Sequence, residues 1–434
     1  MKASGKLVCL LFLLLLLAVA EETPGQQAAF YLQDGDRVLF YGDSITESNP
    51  YYAGYPVFVE SFVVTRFPRL HIGFTNAGWA GDMVGWGPGG TVDERLRRDV
   101  FPNKPTVVSI MFGMNDGFYE EFKPASFKIY SVGYERLLAL LKADSPRLRI
   151  TLLQPSPFDD FTASGTWRLA PPPIKDGYNS VLVRYGEFVK DLARRHDLNI
   201  ADMNAPLVAV LQKAITADPT LAQKIIPDRI HPAAAGHLVI AIELLKAWHA
   251  SPLVSAVELD TSANRVVRTE NTKVKELKSG AAISWTQYDE ALPMPLDMKD
   301  PMVAFVVKLS DVEGLNQQLL KVNGLRASSY ALKIDGTEVG TWTSEQLAAG
   351  INLAFSPTPM LKQAMAVYAL TLQHNRIHFV RGREVQIPLK AVQASPVTRR
   401  TVAALDTLEA ELIRQQRATA QPQVRHYALI EKAN

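Results

Sequence analysis

A serine, a histidine and an aspartate stand in this chain where together they could attack a carbonyl carbon. Ser44 lies in Tyr41-Gly42-Asp43-Ser44-Ile45-Thr46, a small-residue turn directly after the apolar run Arg37-Val38-Leu39-Phe40. A serine hydroxyl is a weak nucleophile near neutral pH. It needs an imidazole to take its proton and a carboxylate to hold that imidazole in the right tautomer. The stretch Asp228-Arg229-Ile230-His231-Pro232 carries both groups three residues apart on one turn, and Pro232 suits the first turn of a helix running through Leu244. Attack creates an oxyanion, and two loops offer donors for it: the backbone N–H of Gly81 in Asn76-Ala77-Gly78-Trp79-Ala80-Gly81-Asp82, and the side-chain amide of Asn115 in Gly113-Met114-Asn115-Asp116. The backbone N–H of Ser44 is a third. Losing one such donor typically costs about 3 to 4 kcal/mol of transition-state stabilisation.

These loops must be held by a framework, and the chain supplies one. Apolar runs Arg37 to Tyr41, His71 to Asn76, Thr106 to Phe112, Arg149 to Leu153 and Leu198 to Ala201 read as strands bounded by Gly, Pro, Asn or Asp. Amphipathic stretches Tyr55 to Phe67, Val92 to Val100, Ala125 to Lys142 and Tyr178 to Arg195 alternate with them at crossover-helix length. That alternation predicts a parallel sheet with helices on both faces, in which ligands bind beyond the carboxyl ends of the strands. The Ser44, Gly81 and Asn115 loops each follow a strand and can converge there.

From about Ser251 the texture changes to short β-like runs, Ser255 to Leu259, Ala282 to Gln287, Val303 to Leu309, Leu319 to Val322 and Tyr330 to Thr343, with a turn signal at Asp335-Gly336. Helical periodicity follows over Thr358 to Phe379 and Val402 to Arg417. The expected division is residues 30–250 for the α/β domain, 251–357 for a β-rich accessory module and 358–434 for a helical C-terminal region. The module either grips a polysaccharide or simply covers the sheet or an oligomer interface.

Gly42-Asp43-Ser44-Ile45-Thr46, Asn76 to Gly81, Gly113-Met114-Asn115-Asp116 and Asp228-x-x-His231-Pro232, taken in order, resemble the SGNH hydrolases, also called the GDSL lipase/esterase family, over roughly Val38 to Trp248. The resemblance implies a flavodoxin-like three-layer α/β/α sandwich. It implies Ser44 as nucleophile, Asp228 and His231 completing the triad, and Ser44, Gly81 and Asn115 forming the oxyanion hole, with no cofactor and no metal required. The G-x-S-x-G elbow of the α/β-hydrolases is absent, which argues against that fold. The function expected is a serine carboxylic ester hydrolase acting through an acyl-enzyme, an acetyl esterase on a carbohydrate first, with a lipase, lysophospholipase or arylesterase of the same family as alternatives. A glycan-binding protein with a vestigial hydrolase domain is the alternative from another class; the five intact site residues count against it.

Other residues invite chemistry and have simpler readings. Asp43 and Asp116 suit hydrogen bonds to loop N–H groups better than proton transfer. His237, six residues past His231, reads as a packed residue rather than a rival base. Gly85-Trp86-Gly87-Pro88-Gly89-Gly90 satisfies a phosphate-loop pattern but does not directly follow a strand and has Pro88 where an N–H should face phosphate. Trp79, Trp86 and Phe112 line either a substrate groove or the core. His374 and His378 have a metal-compatible spacing without a clear third ligand, and a solvated pair is the simpler expectation. The long segment Pro155 to Pro173 is expected to form one wall of the substrate pocket.

Lys2 and Lys6 precede an apolar run from Leu7 to Ala20 that ends Ala18-Val19-Ala20, the layout of a signal peptide cleaved near residue 20. The run is shorter than the roughly 20 residues that span a bilayer, so a retained membrane anchor is not expected. The expected location is secreted or periplasmic. Cys9, the single cysteine, falls inside this leader, which leaves the mature chain without disulfides or thiolate metal ligands. Removing the two leader lysines leaves 44 basic residues against 44 acidic ones, a balance that gives no reason to expect nucleic acid as a partner. An ester, such as an acetylated polysaccharide, is the partner expected instead.

Overall fold

A computed structural model of the chain describes residues 29–48, 53–162, 174–280 and 282–432. The expected leader, residues 1–20, and the second half of the Pro155 to Pro173 loop lie outside the described residues.

Five strands, β1 (Arg37–Gly42), β2 (Gly73–Asn76), β3 (Val107–Met111), β4 (Arg149–Leu153) and β5 (Asn199–Ala201), form one sheet in the order 2-1-3-4-5. Every pairing is parallel. Val38, Leu39, Phe40 and Tyr41 of β1 and the whole of β3 are buried, as a strand covered on both faces requires. Helices α1 (Tyr55–Arg66), α2 (Pro124–Asp144), α3 (Asn179–His196), α4 (Ala205–Ala217) and α5 (Ala234–Ala247) make the crossovers and outer layers. The α2 and α3 helices lock together through aromatic rings, Tyr130 on Tyr185 at 4.4 Å and Tyr134 against Phe188 at 6.4 Å. The predicted three-layer α/β architecture is therefore present.

The C-terminal part is a β-sandwich. One sheet of β6 (Leu253–Asp260), β7 (Arg265–Glu270), β10 (Gln317–Asn323) and β13 (Ile351–Asn352) faces a second of β8 (Thr272–Lys278), β9 (Ala282–Asp289), β11 (Ser329–Ile334), β12 (Thr337–Thr343) and β14 (Arg425–Glu431). Between them Leu259, Trp285, Leu320, Leu332, Ile334 and Tyr427 make a second core. The β11–β12 hairpin turns at Asp335 and Gly336, both at positive φ as a two-residue primed turn demands.

The structure departs from the sequence reading at several points. Val303 to Leu309 is helical, not extended: Asp300 caps α6 (Pro301–Leu309) by accepting from the N–H groups of Met302 and Val303, and Pro301 is pre-set for the first helical position. Strands β7 and β8 went unforeseen because their residues are mostly exposed and charged, with little apolar alternation. Packing and strand pairing cross the expected boundaries at residues 251 and 358. Met294, Leu296, Val306 and Leu315 belong to the core of the α/β domain, and residues 425–431 leave the helical region to pair with β9 and β11.

The two long C-terminal helices, α7 (Pro359–Phe379) and α8 (Pro396–Thr419), pack against each other, and α7 lies against α1. The contact centres on Glu60 of α1, which is buried. It accepts from His374 Nε2 at 2.6 Å, from Asn375 Nδ2 at 3.0 Å and from Gln416 Nε2 at 2.9 Å. His374 is therefore neither solvated nor a metal ligand but half of a buried ion pair. His378 pairs with Glu409 at 3.2 Å. At the other end of α1, buried Arg66 donates to the carbonyls of Ser251 and Leu315 and to Asn316 Oδ1, with no carboxylate partner among the described residues. Burial pushes its pKa down to about 9. No helix among the described residues is long and apolar enough to cross a membrane.

Burial works to lower the His374 pKa, but the charge and hydrogen bond of Glu60, helped by Glu409 and opposed by Arg417, raise it above 6.5. Burial works to raise Glu60, yet His374, Gln416 and Asn375 hold it below 4.5. Stability from the histidine is complete below 6.5 and is lost as pH rises through its raised value; that from the glutamate is complete above 4.5 and is lost as pH falls through its lowered one. The pair thus contributes in full between 4.5 and 6.5. His374→Ala should cost roughly 3–5 kcal/mol, the usual consequence of stranding a buried charge. In thermal unfolding across pH, the gap between native and variant should be widest in that window and shrink on its alkaline side.

Candidate active site

Ser44 opens a single helical turn, Ser44–Glu47, at the carboxyl end of β1. Asp43 caps that turn by accepting from the N–H of Ile45 at 2.9 Å, so the serine hydroxyl is the group left to face the cleft. Its Oγ lies 2.9 Å from Nε2 of His231, and Nδ1 of His231 lies 2.6 Å from Oδ2 of Asp228. The other oxygen of Asp228 accepts from the N–H groups of Ile230 and His231 at 3.0 and 2.7 Å, which sets the carboxylate before the ring meets it. The turn carrying both residues precedes α5, which begins at Ala234 rather than at Pro232.

Electrostatics favour a basic imidazole. Burial pushes the His231 pKa down, but the hydrogen bond and charge of Asp228, and then the charge of Asp43, bring it above 6.5. Burial likewise works against Asp228, whose carboxyl is nonetheless held below its ordinary value by His231 and the two backbone donors. His237 is buried, lies 6.3 Å from the Tyr55 ring, and is pushed down to about 3 by burial and then by His231. It is a neutral packed side chain.

The loop after β2 is tied to the serine turn at several points. Asn76 Nδ2 donates to the carbonyls of Thr46 and Glu47, Asn76 Oδ1 accepts from Gly78, and the Trp79 N–H donates to the carbonyl of Gly42. Buried Arg95 binds the loop from behind, reaching the Ala77 carbonyl and the Asp82 carboxylate. Asp82 in turn accepts from Gly89, which makes Gly85 to Gly90 a small hairpin braced on this loop rather than a phosphate site. The loop after β3 joins the same cluster: Asn115 Nδ2 donates to the Asp82 carbonyl at 2.9 Å and Oδ1 accepts from the Tyr119 hydroxyl. One amide N–H of Asn115 then has no hydrogen-bond partner among the described residues. Gly81, at φ +77°, is exposed on the rim next to it.

Asp43 and Asp116 are both buried, and burial pushes each up to about 7. Asp116 accepts from the N–H of Val84, the loop-bracing role expected of it. Of the three aromatics, Phe112 is buried against Tyr41 and is a core residue, Trp86 is half exposed, and Trp79 is covered by arginines. The described start of the Pro155 to Pro173 loop reaches the histidine turn, where the Asp159 N–H donates to the Arg229 carbonyl. Among the described residues, no three His, Cys, Asp or Glu side chains cluster to hold a metal ion.

Sequence reasoning passed over Glu47, Asp82 and Arg95. Glu47 Oε2 accepts from the Ala80 N–H at 2.9 Å, and its place three residues after Ser44 was the available signal. Nothing in the sequence pairs Arg95 with Asp82, because that contact needs the folded loop.

Gly78 is where the two loops touch, and a Cβ there would overlap the backbone of Thr46 and Glu47. Gly78→Ala should therefore destabilise by about 1–3 kcal/mol, the usual cost of overpacking, and displace the loop that carries Gly81. Thermal unfolding together with any assay of esterase turnover should show both losses.

Residues 40–239 match the GDSL-like Lipase/Acylhydrolase family. An acetylxylan esterase from Geobacillus stearothermophilus is 28% identical over 225 residues, covering 49% of this chain and 93% of that protein. The solved structure of a gut microbial diltiazem-metabolizing enzyme aligns over 94% of this chain and 100% of its own, with 28% identity and a TM-score of 0.77. Its likeness takes in the C-terminal sandwich and helices as well as the α/β domain. A catalytic mutant of the Geobacillus acetylxylan esterase aligns over 50% of this chain and 96% of its own, at 24% identity and a TM-score of 0.40. Residues 40–239 thus form a GDSL-like lipase/acylhydrolase domain, and the protein is a carboxylic ester hydrolase.

Proposed function

We propose that the protein is an exported acetyl esterase that cleaves O-acetyl groups from a carbohydrate through an acyl-enzyme on Ser44. The observation that carries this reading is the unbroken chain from Ser44 Oγ to His231 to Asp228, assembled from segments 187 residues apart. Ser44 Oγ attacks the ester carbonyl while His231 Nε2 takes its proton. The N–H groups of Ser44 and Gly81 and the amide of Asn115 hold the oxyanion. Collapse breaks the bond to the alcohol, which leaves with the proton from His231. Water, deprotonated by the same imidazole, then attacks the acyl carbon, and Ser44 is restored as the acid departs.

The acetyl preference is supported by the acetylxylan esterase relative. A second reading, an esterase for acetates of non-sugar alcohols, is favoured by the likeness to the diltiazem-metabolizing enzyme across nearly the whole chain. A vestigial, purely glycan-binding role fits poorly with a serine, histidine and aspartate still in hydrogen-bond register. Export rests on the layout of Lys2, Lys6 and the Leu7 to Ala20 run.

Hydrolysis of p-nitrophenyl acetate, butyrate and octanoate, of acetylated xylooligosaccharides and of diltiazem by the native protein and by Ser44→Ala tests the reading. Acetate should be cleaved faster than octanoate, and the variant should lose on the order of 10⁴-fold or more in kcat. Activity surviving in Ser44→Ala would overturn the nucleophile; a preference for octanoate would overturn the acetyl esterase.

The pH profile gives an independent check. A base must be neutral, so kcat/KM should rise with pH through an inflection above 6.5, the raised His231 value. Asp228→Asn removes the group that raises it and leaves burial to lower it. The inflection should then move to lower pH while kcat falls about 10³–10⁴-fold.

A further inference from the structure

The C-terminal region sends one side chain into the catalytic loops. After α7 the chain winds as a short π-helix, Val380–Gln386, and from it Arg383 reaches back to the α/β domain. One guanidinium nitrogen pairs with Glu47 Oε1 at 2.7 Å and also donates to the Gly78 carbonyl. The guanidinium lies 3.2 Å above the centre of the Trp79 ring, whose system also receives Arg98 at 4.3 Å. Both Arg383 and Glu47 are largely withdrawn from solvent, at 18% and 16% side-chain exposure. These contacts join the two loops that matter most to the reaction: Glu47 ends the turn that Ser44 begins, and Gly78 and Trp79 lie in the loop that carries Gly81.

We infer that Arg383 is a positioning residue for catalysis, holding the Glu47 carboxylate and the Gly78 to Gly81 loop so that the Gly81 N–H faces the oxyanion formed at Ser44. This rests on the reading of Ser44 and Gly81 given above. The path is short. Arg383 fixes one oxygen of Glu47, the other oxygen holds the Ala80 N–H at 2.9 Å, and Ala80 precedes Gly81. Without the guanidinium, Glu47 keeps its burial and loses its counter-charge. Burial already raises its pKa against the opposing pull of Arg383, so losing that pull raises it further, and the Ala80 N–H is left with a carboxylate that Arg383 no longer fixes in place. A planar guanidinium suits the place because it bridges a carboxylate and a carbonyl while lying flat on an indole, whereas an ammonium offers charge without the plane. Arg383 also lines a cavity of about 560 Å³ between the catalytic loops and the C-terminal helices.

Steady-state kinetics on p-nitrophenyl acetate with Arg383→Ala, Arg383→Lys, Glu47→Gln and the double variant Arg383→Ala/Glu47→Gln test the inference. Arg383→Ala should lower kcat about 10- to 100-fold, as a displaced oxyanion donor does, and leave KM within about twofold. Arg383→Lys should recover part of the loss. The double variant should be no worse than about the poorer single one, because both act through the same contact. Arg383→Met, which keeps a stem over Trp79, replaces the alanine variant should that fail to fold by circular dichroism. Unchanged kcat, a change confined to KM, or fully additive losses would overturn the inference. Failure of the underlying reading is separable, since it would show as activity in Ser44→Ala.

Discussion

Everything at the active edge depends on the parallel register of β1 between β2 and β3. Phe40 pairs with Asn76 on one side and Gly42 with Met111 on the other, so the residues following all three strands emerge at one end of the sheet. Three loops separated by tens of residues are thereby delivered to one place by backbone hydrogen bonds alone. A one-residue slip in β1 would turn Ser44 and its apolar neighbours to the opposite faces. The histidine turn is the fourth segment, and it too is anchored from the sheet side, by α5 packing against α1.

Delivery is not yet precision, and the loops get that from polar groups on their buried side. Arg95 grips the ends of the Ala77 to Asp82 loop, Asn76 stitches it to the serine turn, and Asn115 closes it against the next loop. Each of these groups is charged or amide-bearing, and each donates to a backbone carbonyl of these loops: Arg95 to Ala77, Asn76 to Thr46 and Glu47, and Asn115 to Asp82. Two carboxyls sit behind this layer, Asp43 and Asp116, and burial leaves both with a pKa of about 7. The Ser44–His231–Asp228 cluster therefore sits in front of carboxyl groups that are themselves held by backbone N–H donors.

The C-terminal half is better described as a brace than as an attached module. Glu60 and Arg66, at two points on α1, are buried polar groups whose side-chain hydrogen-bond partners among the described residues all come from beyond residue 250. A buried charge stripped of such partners is strongly destabilising, so the α/β domain is not built to stand without the segments that supply them. The last strand, β14, returns to the centre of a sandwich sheet between β9 and β11, which commits the chain end to β-pairing that bridges the earlier strands.

Much of the α/β fold was legible because its signals are local. Strand runs, helix periodicity and turn residues are read within a window of ten residues, and the five strands and the helices Tyr55–Arg66, Pro124–Asp144 and Asn179–His196 lie where that reading puts them, whereas the helix Ala205–Ala217 was not foreseen. Ser44, His231 and Asp228 were legible as candidates through motif and spacing, and their side chains do meet. The polar strands β7 and β8, the helix at Pro301–Leu309, and the ion pair of Glu60 with His374 were not. In each case the deciding partner lies far along the chain or the deciding feature is a single cap. By itself, then, the sequence determined which residues could do ester chemistry and that a parallel sheet would carry them, since both follow from residue type and short-range pattern. Only tertiary structure decided that Arg95 would clamp the Ala77 to Asp82 loop, that Phe112 would be core, and that a guanidinium more than 300 residues downstream would rest on Trp79. Those outcomes depend on burial and contact between distant segments, and neither has a local signature.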